Sequence, residues 1–545
     1  MLKRSLLGSI SALWTFGTFG TFGTLAAVGA GCSGAAGGSM GATPGGAQDN
    51  GLASSQVQQG LVPQPDAFTV EGLLNQYDLP LDSLDCQQDL CIDAAYGVAP
   101  VLTEDRSAVF VQIGFSSGID PATFQRPFLN LSVVVDRSGS MAGSKLDAVK
   151  QALDSLIDQL GEGDRLSIVE FDDRVDVLVE STPVGDKTAL KAAVGQIAAR
   201  GATDLASGLR QGSALVQAFA GQPGISDRVM VFTDAETNTG DTDQATFIQI
   251  ATSDAAENIG LTLFGVGTDL NQDLALAITS IRGGNYFFLK DAATIATIFD
   301  ANFDYLVTPL AYDLTFQLNP AAGFAITSVY GVSAWRTGST TVQLSVPTVF
   351  LSTNHGAIVV RLDPVNRAWP AGQCPLAELS LSDSPPDSAI PVSQSLEAAY
   401  SSSAPLADDT IFYSQRAVRK TVALVNTALA ENQACQIYWN RSGTVDSAVA
   451  LLDRTRTMLL SESAAIEDTD LLTEASNVLA LENNMQSGGN SYGTGGSYAD
   501  NSAYSREPID CSFAAGAGAS GRRSAILGLL SLGVLAFLRR RSRRD

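Results

Sequence analysis

Five oxygen-bearing side chains occupy positions from which they could hold a metal ion. Asp136, Ser138 and Ser140 alternate in the stretch DRSGS, directly after an apolar run. Thr203 lies in the stretch RGATDL, and Asp234 follows the apolar run VMVFT. Two carboxylates and three hydroxyls make an all-oxygen set, which suits a small, hard cation whose octahedral shell is completed by water. These residues therefore predict a site for Mg²⁺, or for Mn²⁺ in its place.

The five side chains can meet only if the elements before them belong to one sheet. Strand-like apolar runs cover 129–135, 166–171, 175–179, 229–233, 261–266 and 286–289. Helical periodicity covers 144–160, 187–198, 204–219, 243–259, 270–280 and 291–306. This alternation predicts an α/β fold with a doubly wound, mainly parallel sheet, covered by helices on both faces.

Two properties of this predicted sheet bear on the site. In an open parallel sheet, ligands bind beyond the carboxyl ends of the strands, which is where all three stretches would lie. Residues 172–174 are too few for a crossover helix, so the run 175–179 should pair antiparallel with 166–171 at one edge.

The order of the five side chains resembles a known metal site. The motif D-x-S-x-S in DRSGS, with Thr203 and Asp234 downstream, resembles the metal-ion-dependent adhesion site of von Willebrand factor type A (VWA) domains. The stretch GVGTDLNQDL, at 265–274, is similar to bacterial members of that family. The resemblance implies a Rossmann-like VWA domain over 128–308. It also implies a magnesium ion whose open position receives a carboxylate from a partner protein.

The resemblance assigns a role to each of the five side chains. Ser138, Ser140 and Thr203 would bind the metal directly. Asp136 and Asp234 would act largely through bound water. Because hydroxyl ligands leave the cation poorly neutralised, its open position would attract a carboxylate from outside.

A purely structural interpretation of the same residues stays open. DRSGS has the composition of a turn that ends a strand, and Thr203 could simply cap the following helix. The sequence also departs from the family pattern, because Ala202 and Ala235 stand where glycine is usual. These alanines bear on loop geometry and remove no ligand.

Composition divides the rest of the chain into further segments. Residues 33–60 and 486–510 are rich in Gly, Ser and other small or polar residues, which is typical of linkers. An N-terminal extension, 61–127, lies between the first linker and the VWA domain. Short strand-like runs within 309–407 predict a β-rich module, and helical periodicity within 408–485 predicts a helical segment.

A weaker resemblance extends beyond the VWA domain. The stretch FTVEGLLNQYDLPL in the extension, with the β-rich and helical segments, resembles the bacterial branch described as similar to calcium-activated chloride channel proteins. That name implies no channel here, because the body of the chain has no apolar run long enough to cross a membrane.

Both ends of the chain carry targeting features. Residues 1–32 combine Lys3 and Arg4 with an apolar stretch, which predicts a signal peptide. Cys32 in VGAGC is a candidate for lipidation, with ordinary cleavage nearby as the alternative. The tail, 511–545, joins a cysteine, a short apolar run and RRRSRRD, and resembles myxobacterial-type C-terminal sorting signals; a short transmembrane anchor is the alternative. The ends predict an exported protein of the bacterial cell envelope, outer membrane or surface, associated with the membrane through its termini.

Charge, histidine and cysteine content narrow the function further. The net charge of −24 disfavours a nucleic-acid partner, because phosphate would be repelled. His355 is the only histidine, which argues against zinc enzymes and Ser-His-Asp catalysis. In an exported chain, the four cysteines outside the two ends predict two disulfides, Cys86–Cys91 and Cys374–Cys435.

These features together predict a surface-exposed binding module and no enzyme. The partner would be a protein that presents an acidic residue to the metal. A hydrolase that uses the same cation to activate water is one alternative, disfavoured because no general base stands out. A VWA subunit of an ATPase-linked chaperone system is another, and the export signals argue against it.

Overall fold

The strands of the described residues form two separate β-sheets. The computed structural model describes residues 40–488 apart from 45–46, 49, 83–85, 105, 235–243, 268–271, 333–334, 338–340 and 387–389. Before residue 128 the elements are β1 (Met40–Pro44), β2 (Ala47–Gln48), α1 (Asn50–Gln58), α2 (Val70–Gln76), β3 (Cys91–Val101) and β4 (Arg106–Ser117).

The middle of the chain alternates strands and helices as the sequence predicts. Its elements are β5 (Phe128–Asp136), α3 (Ser144–Gln159), β6 (Arg165–Phe171), β7 (Val175–Pro183), α4 (Lys187–Gly195), α5 (Leu205–Gln217), β8 (Ile225–Thr233), α6 (Gln244–Ala256), β9 (Gly260–Val266), α7 (Gln272–Thr279), β10 (Asn285–Leu289), α8 (Ala292–Ile295) and α9 (Phe303–Leu306). A π-helical turn, Ala296–Ala301, separates α8 from α9, so the helix predicted over 291–306 is interrupted.

The C-terminal part begins with strands and ends with three long helices. Its elements are β11 (Pro309–Pro320), β12 (Phe324–Tyr330), β13 (Trp335–Thr337), β14 (Val342–Ser352), β15 (Ala357–Pro364), β16 (Cys374–Ser384), β17 (Val392–Tyr400), β18 (Phe412–Tyr413), α10 (Arg416–Asn440), α11 (Val445–Ile466) and α12 (Thr469–Gln486). The β-rich region and the helical segment that the sequence predicts are both present.

The first sheet confirms the predicted α/β fold class. Its strands follow the order β2-β10-β9-β8-β5-β6-β7. Neighbours pair in parallel except β7, which pairs antiparallel with β6 at the edge, as the short connection predicts. Apolar side chains cover both faces of this sheet, with α3 on one face and α5 and α6 on the other. Since β6 lies on one side of β5 and β8 on the other, the order of connection switches at the carboxyl end of β5.

Helix α5 packs unusually close to this sheet because two glycines face it. A Cβ atom at Gly212 would lie 2.4 Å from Cγ2 of Val134, and one at Gly208 would lie 2.6 Å from Cδ1 of Phe171. Any larger residue would push the helix away from β5 and β6. The glycines therefore fix the position of the helix whose first turn follows the Thr203 loop.

The second sheet is antiparallel and combines strands from both sides of the VWA domain. Its main path is β12-β15-β4-β1-β14-β11-β16-β17. Outside this path, β3 pairs with β4, β18 pairs with β3, and β13 pairs with β14. Strand β4 is buried along most of its length because both of its faces are covered. Val109, Val111 and Ile113 pack into the core of this sheet, whereas Ala108 and Phe110 pack against the helices. The VWA domain is thus inserted between β4 and β11.

The N-terminal segments differ from their predicted organisation. The sequence predicts a linker over 33–60, but β1 is buried and pairs antiparallel with both β14 and β4, and α1 follows it. The extension 61–127 supplies β3 and β4 to the same sheet as the β-rich module. Residues 40–58 have the composition of a linker and no strand pattern of their own. Their structure depends on pairing with distant strands, which composition does not reveal.

One predicted disulfide is confirmed and the other is wrong. Cys86 and Cys91 are joined by a disulfide. Cys374 and Cys435 are both free thiols. Cys374 begins β16 and packs against the core of the antiparallel sheet, whereas Cys435 is buried on α10 in the core between the helices. An even count of cysteines cannot reveal that the two belong to separate cores.

Candidate metal centre

Asp136 is the last residue of β5 and lies at the switch point of the parallel sheet. Its side chain is fully buried and both carboxylate oxygens accept hydrogen bonds. The backbone N–H of Ser138 donates to Oδ1 at 2.8 Å, and the hydroxyl of Thr233, the last residue of β8, donates to Oδ2 at 2.6 Å. These bonds fix the carboxylate and connect the tips of β5 and β8.

The two serines of the motif follow Asp136 in a tight turn. Ser138 is buried and Ser140 is half-buried. A short 3₁₀ turn, Gly139–Met141, brings their hydroxyl oxygens to within 3.1 Å of each other. The alternate spacing of the motif therefore does place the two hydroxyls together.

The Thr203 loop is tied to the same turn by backbone hydrogen bonds. The N–H of Arg200 donates to the carbonyl of Arg137 at 2.7 Å, and the N–H of Gly139 donates to the carbonyl of Gly201 at 3.0 Å. Thr203 is fully buried. The residue that caps α5 is Asp204, whose side chain accepts from the N–H of Ser207 at 3.1 Å. Helix capping therefore does not account for the hydroxyl of Thr203.

Asp234 follows β8 and is also fully buried. Its Oδ2 accepts a hydrogen bond from Nζ of Lys145 at 2.8 Å, which makes a salt bridge across the site. Lys145 lies in the first turn of α3 and is partly exposed. The residue after Asp234, Ala235, lies outside the described residues, as do the next eight.

A charged cluster that no sequence pattern indicated supports the turn. Arg137, the variable second residue of the motif, is buried and contacts three carboxylates, with its Nε donating to Asp172 at 2.9 Å. The other two carboxylates belong to Glu170 and Asp176. Arg200 donates to the same Asp172 at 2.6 Å. The cluster thereby holds the Asp136 turn, the end of β6 and the Thr203 loop in one arrangement.

The electrostatics of the site favour an added positive charge. The pKa of Asp136 is raised to about 6, chiefly by burial; hydrogen bonds from Thr233 and Ser138 oppose this rise, and the charge of the nearby Asp234 adds to it. The buried carboxylate of Asp136 is therefore costly to ionise without a cation nearby. Among the described residues, no group of three or more Asp, Glu, His or Cys side chains could hold a metal. A cation here would therefore need the hydroxyls as ligands.

Comparison with known proteins agrees with the fold. Residues 130–301 match the von Willebrand factor type A domain family. The chain therefore contains a VWA domain, with the switch point at Asp136 inside it. VWA domains commonly bind a divalent metal at their adhesion site, and they often mediate adhesion between proteins.

Two relatives match a larger part of the chain. The uncharacterized protein sll0103 of Synechocystis sp. is 31% identical over 217 residues, which is 39% of this chain and 51% of the relative. The uncharacterized protein YfbK of Escherichia coli is 26% identical over 277 residues, which is 49% of this chain and 47% of the relative. The chain thus spans about half the length of the curated relatives it matches.

Among solved structures, the chain is similar to a von Willebrand factor type A protein from Catenulispora acidiphila. The match covers 74% of this chain and 97% of the other, with a TM-score of 0.48 and 16% identity. Within the part of the chain that the structure describes, no helix has the length and hydrophobicity required to span a membrane.

Proposed function

We propose that the VWA domain binds a partner protein through Mg²⁺, or Mn²⁺ in its place, held beyond the ends of β5 and β8. The observation that carries this proposal is the hydrogen bonding that ties three loops together. Those loops carry the five oxygen-bearing side chains Asp136, Ser138, Ser140, Thr203 and Asp234. An oxygen-only donor set suits a hard divalent cation.

The spacing of the two serine hydroxyls supports an octahedral ion. In a shell with metal–oxygen distances of about 2.1 Å, neighbouring ligand oxygens lie about 3.0 Å apart. The hydroxyl oxygens of Ser138 and Ser140 are separated by 3.1 Å, so both could occupy adjacent positions without rearrangement. Ser138, Ser140 and Thr203 would hold the ion. Asp136 and Asp234 would orient its bound water.

The charge of the chain would make binding of an acidic partner depend on the ion. A bound divalent ion supplies a Lewis-acidic position that can accept a carboxylate oxygen from outside. The chain carries a net charge of −24, and an acidic partner would be repelled from it in the absence of such an ion. The metal would bridge two acidic surfaces, which makes the interaction dependent on both the ion and its ligands.

We propose binding without catalytic turnover. A hydrolase needs a general base placed near the metal-bound water. The single histidine of the chain, His355, is hydrogen-bonded to Asp78 at 2.8 Å in another module. The carboxylates at the site are already engaged, since Asp136 accepts from Ser138 and Thr233 and Asp234 accepts from Lys145.

We also propose that the protein acts outside the cytoplasm, at the cell envelope or surface. The basic, apolar ends at 1–32 and 511–545 support this location, and they lie outside the described residues. The Cys86–Cys91 disulfide supports it as well, because structural disulfides persist in oxidising compartments.

Calorimetric titration of Mg²⁺ into the wild type and Asp136→Ala tests the site. The affinity should fall by about 10- to 100-fold, because Asp136 orients the ligands of the ion. Asp147→Ala is the matched control, since Asp147 is an exposed aspartate on α3 and its loss should leave the affinity unchanged.

A pull-down from envelope extracts then tests the function. Partner capture should disappear in Asp136→Ala and in wild type treated with a chelator, and should survive in Asp147→Ala. Equal metal affinity in wild type and Asp136→Ala, or capture that survives chelation, would show that DRSGS is only a turn. Metal-dependent turnover of a peptide or phosphate-ester panel would favour the hydrolase instead.

A further inference from the structure

A cleft lies where the VWA domain meets the N-terminal and C-terminal helices. Its walls come from α1 and α2, from the end of β10 and the turns after it, and from α12. Its volume of about 610 Å³ falls within the range of about 300–1,000 Å³ that is typical of small-ligand sites. The five candidate metal ligands do not line it, so it is separate from the proposed metal centre.

The lining of this cleft is polar but mostly uncharged. The charged side chains that the described part of the cleft contributes are Lys290 and Asp291, and both are exposed to solvent. Its other hydrogen-bonding groups are amides and hydroxyls, including Ser54, Gln58, Asn302, Asn354, Thr473 and Asn477. Amides and hydroxyls offer both donors and acceptors. This lining matches a ligand whose own groups are neutral and act as both donor and acceptor.

The strongest evidence for a ligand in this cleft comes from Asn75 on α2. It lines the cleft and is only 6% exposed. Its Nδ2 is buried and has no hydrogen-bond partner among the described residues. A buried amide donor without a partner costs free energy. Because Nδ2 of Asn75 has almost no accessible surface, the side chain would have to turn toward the cleft to donate to an acceptor there.

Two other amides of the cleft already make hydrogen bonds. Nε2 of Gln58 donates to Oδ1 of Asn477 at 3.3 Å, which links α1 to α12. Nε2 of Gln76 donates to the hydroxyl of Tyr77 at 3.1 Å. Since these groups are held in place before any ligand binds, less ordering would be needed on binding.

One wall of the cleft is apolar. Phe288, Ile298 and Leu306 contribute to it, and Phe288 and Ile298 are buried. A ring that presents C–H groups on one face and hydroxyls at its edge would fit such a combination of apolar and amide surfaces. We propose that this cleft binds an uncharged saccharide, with Asn75 donating a hydrogen bond to a hydroxyl or acetamido oxygen.

Saturation-transfer difference NMR on the full chain tests this proposal. The probes are cellobiose, lactose and N,N′-diacetylchitobiose at millimolar concentration, in the presence of a chelator. At least one should bind to the wild type with the metal removed, because the cleft shares no residue with the metal centre. Galacturonate serves as the charged comparison and should bind more weakly, because the deep lining offers no counter-charge.

Two variants locate the binding. Asn75→Leu removes the unpartnered donor at nearly constant volume, so the fold should be retained while saccharide affinity falls at least tenfold. Ser54→Trp fills the cleft from α1 and should have the same effect. Asn440→Leu, at an exposed asparagine of α10, is the matched control and should bind as wild type does.

Three results would overturn the proposal. One is the absence of binding by all three saccharides to the wild type. Another is equal binding by the wild type, Asn75→Leu and Ser54→Trp, and the third is tighter binding of galacturonate than of the neutral sugars. None of these results bears on Mg²⁺ affinity, so failure here is distinguishable from failure of the metal-centre proposal.

Discussion

The two ends of the parallel sheet in the VWA domain are built differently. At the carboxyl end, buried Asp136 and Asp234 are surrounded by hydroxyls and by short loops. Toward the amino end, buried Arg228 of β8 lies 5.4 Å from the centre of the Phe350 ring in β14, and the N–H of Gly283 donates to the hydroxyl of Thr348 at 2.7 Å. The second end is therefore an attachment surface that packs the domain against the antiparallel sheet.

This difference shows how one sheet can separate ligand binding from assembly. Polar groups at the carboxyl end are those that we propose to bind a cation from solvent, and burial makes ionisation of Asp136 costly without one. Toward the amino end, Gly283 donates to Thr348 and Nη1 of Arg228 donates to Thr262 inside the protein, and the contacts of Gly283 and Arg228 with β14 fix the orientation of two modules. We expect substitutions at the carboxyl end of the sheet to change metal affinity, and substitutions toward its amino end to change stability.

The largest loss of stability is expected on substitution of Asp172. This substitution should also lower metal affinity, so it would not follow the separation between the two ends of the sheet. This buried carboxylate accepts from both Arg137 and Arg200. Asp172→Ala would leave Arg137 buried with less compensation, so the free energy of unfolding should fall by about 3 kcal/mol. Mg²⁺ affinity should fall with it, because the Thr203 loop loses its anchor. Urea unfolding and calorimetry check both effects, with the exposed Asp147→Ala as control.

If Asp172→Ala reduced metal affinity at unchanged stability, the charged cluster would belong to the binding machinery alone. If it reduced stability at unchanged affinity, the cluster would not position the site. The structure predicts that both quantities change, since Arg137 sits inside the motif itself.

A smaller loss of stability is expected at Arg228. Burial lowers the pKa of Arg228 to about 10, and its Nε has no hydrogen-bond partner among the described residues. Arg228→Ala removes the packing of the side chain against Phe350 and should lower the free energy of unfolding by about 2 kcal/mol. Arg228→Met keeps most of the volume and removes the buried charge, so its loss should be below about 1 kcal/mol.

Thermal unfolding of both Arg228 variants provides the measurement, and Mg²⁺ titration provides the comparison with the other end of the sheet. Metal affinity should match the wild type in both. A larger loss in Arg228→Met than in Arg228→Ala would show that the charge itself holds the two modules together.

The next effect concerns metal affinity. Nζ of Lys145 lies 2.8 Å from Oδ2 of Asp234, so its positive charge would oppose a cation bound nearby. Lys145→Met should therefore raise Mg²⁺ affinity by about tenfold, which corresponds to about 1.4 kcal/mol. Lys150→Met is the control, since Lys150 lies on the same helix and donates to the carbonyl of Gly195. A decrease in affinity would show instead that Lys145 orients Asp234 for the ion.

Local pattern predicted the elements that carry the candidate site residues. The spacing in DRSGS placed Ser138 and Ser140 together, and the apolar runs located β5 and β8, because buried parallel strands have a distinctive composition. The roles of Arg137 and Lys145 were missed. A charged residue beside a turn is ordinarily solvated, and only the three-dimensional arrangement shows which carboxylates it contacts.

Long-range pairing was the part that the sequence could not supply. Strand β1 has the sequence MGATP, which has no strand pattern of its own and is stabilised by β14 and β4 on either side. The same limitation explains the wrong pairing of Cys374 with Cys435, because counting cysteines carries no information on which core each one enters. Segments whose structure depends on distant partners need the fold before they can be interpreted.

The smallest change in stability is expected at Glu104, between β3 and β4 of the antiparallel sheet. Its dependence on pH should differ in sign from that of Asp136 in the parallel sheet. Arg361 and Arg106 lower the pKa of Glu104 from its ordinary 4.5 to about 2. A lowered pKa stabilises the folded protein above pH 4.5, and that contribution is lost as the pH falls from about 4.5 toward 2. The full shift would correspond to about 3 kcal/mol, but the side chain is 35% exposed, so solvent screening reduces the expected contribution to about 1 kcal/mol.

Glu104→Gln should thus be less stable than the wild type by about 1 kcal/mol at neutral pH, and the difference should shrink by about pH 3. Urea unfolding at the two pH values measures this difference, with Glu397→Gln, at an exposed position of β17, as the matched control. The contribution of Asp136 to stability depends on pH in the opposite direction. Its pKa is raised to about 6, chiefly by burial, so its ionisation opposes folding. A Glu104→Gln difference that stays constant across this range would mean that the contacts of Glu104 with Arg361 and Arg106 act through packing and hydrogen bonding rather than through its charge.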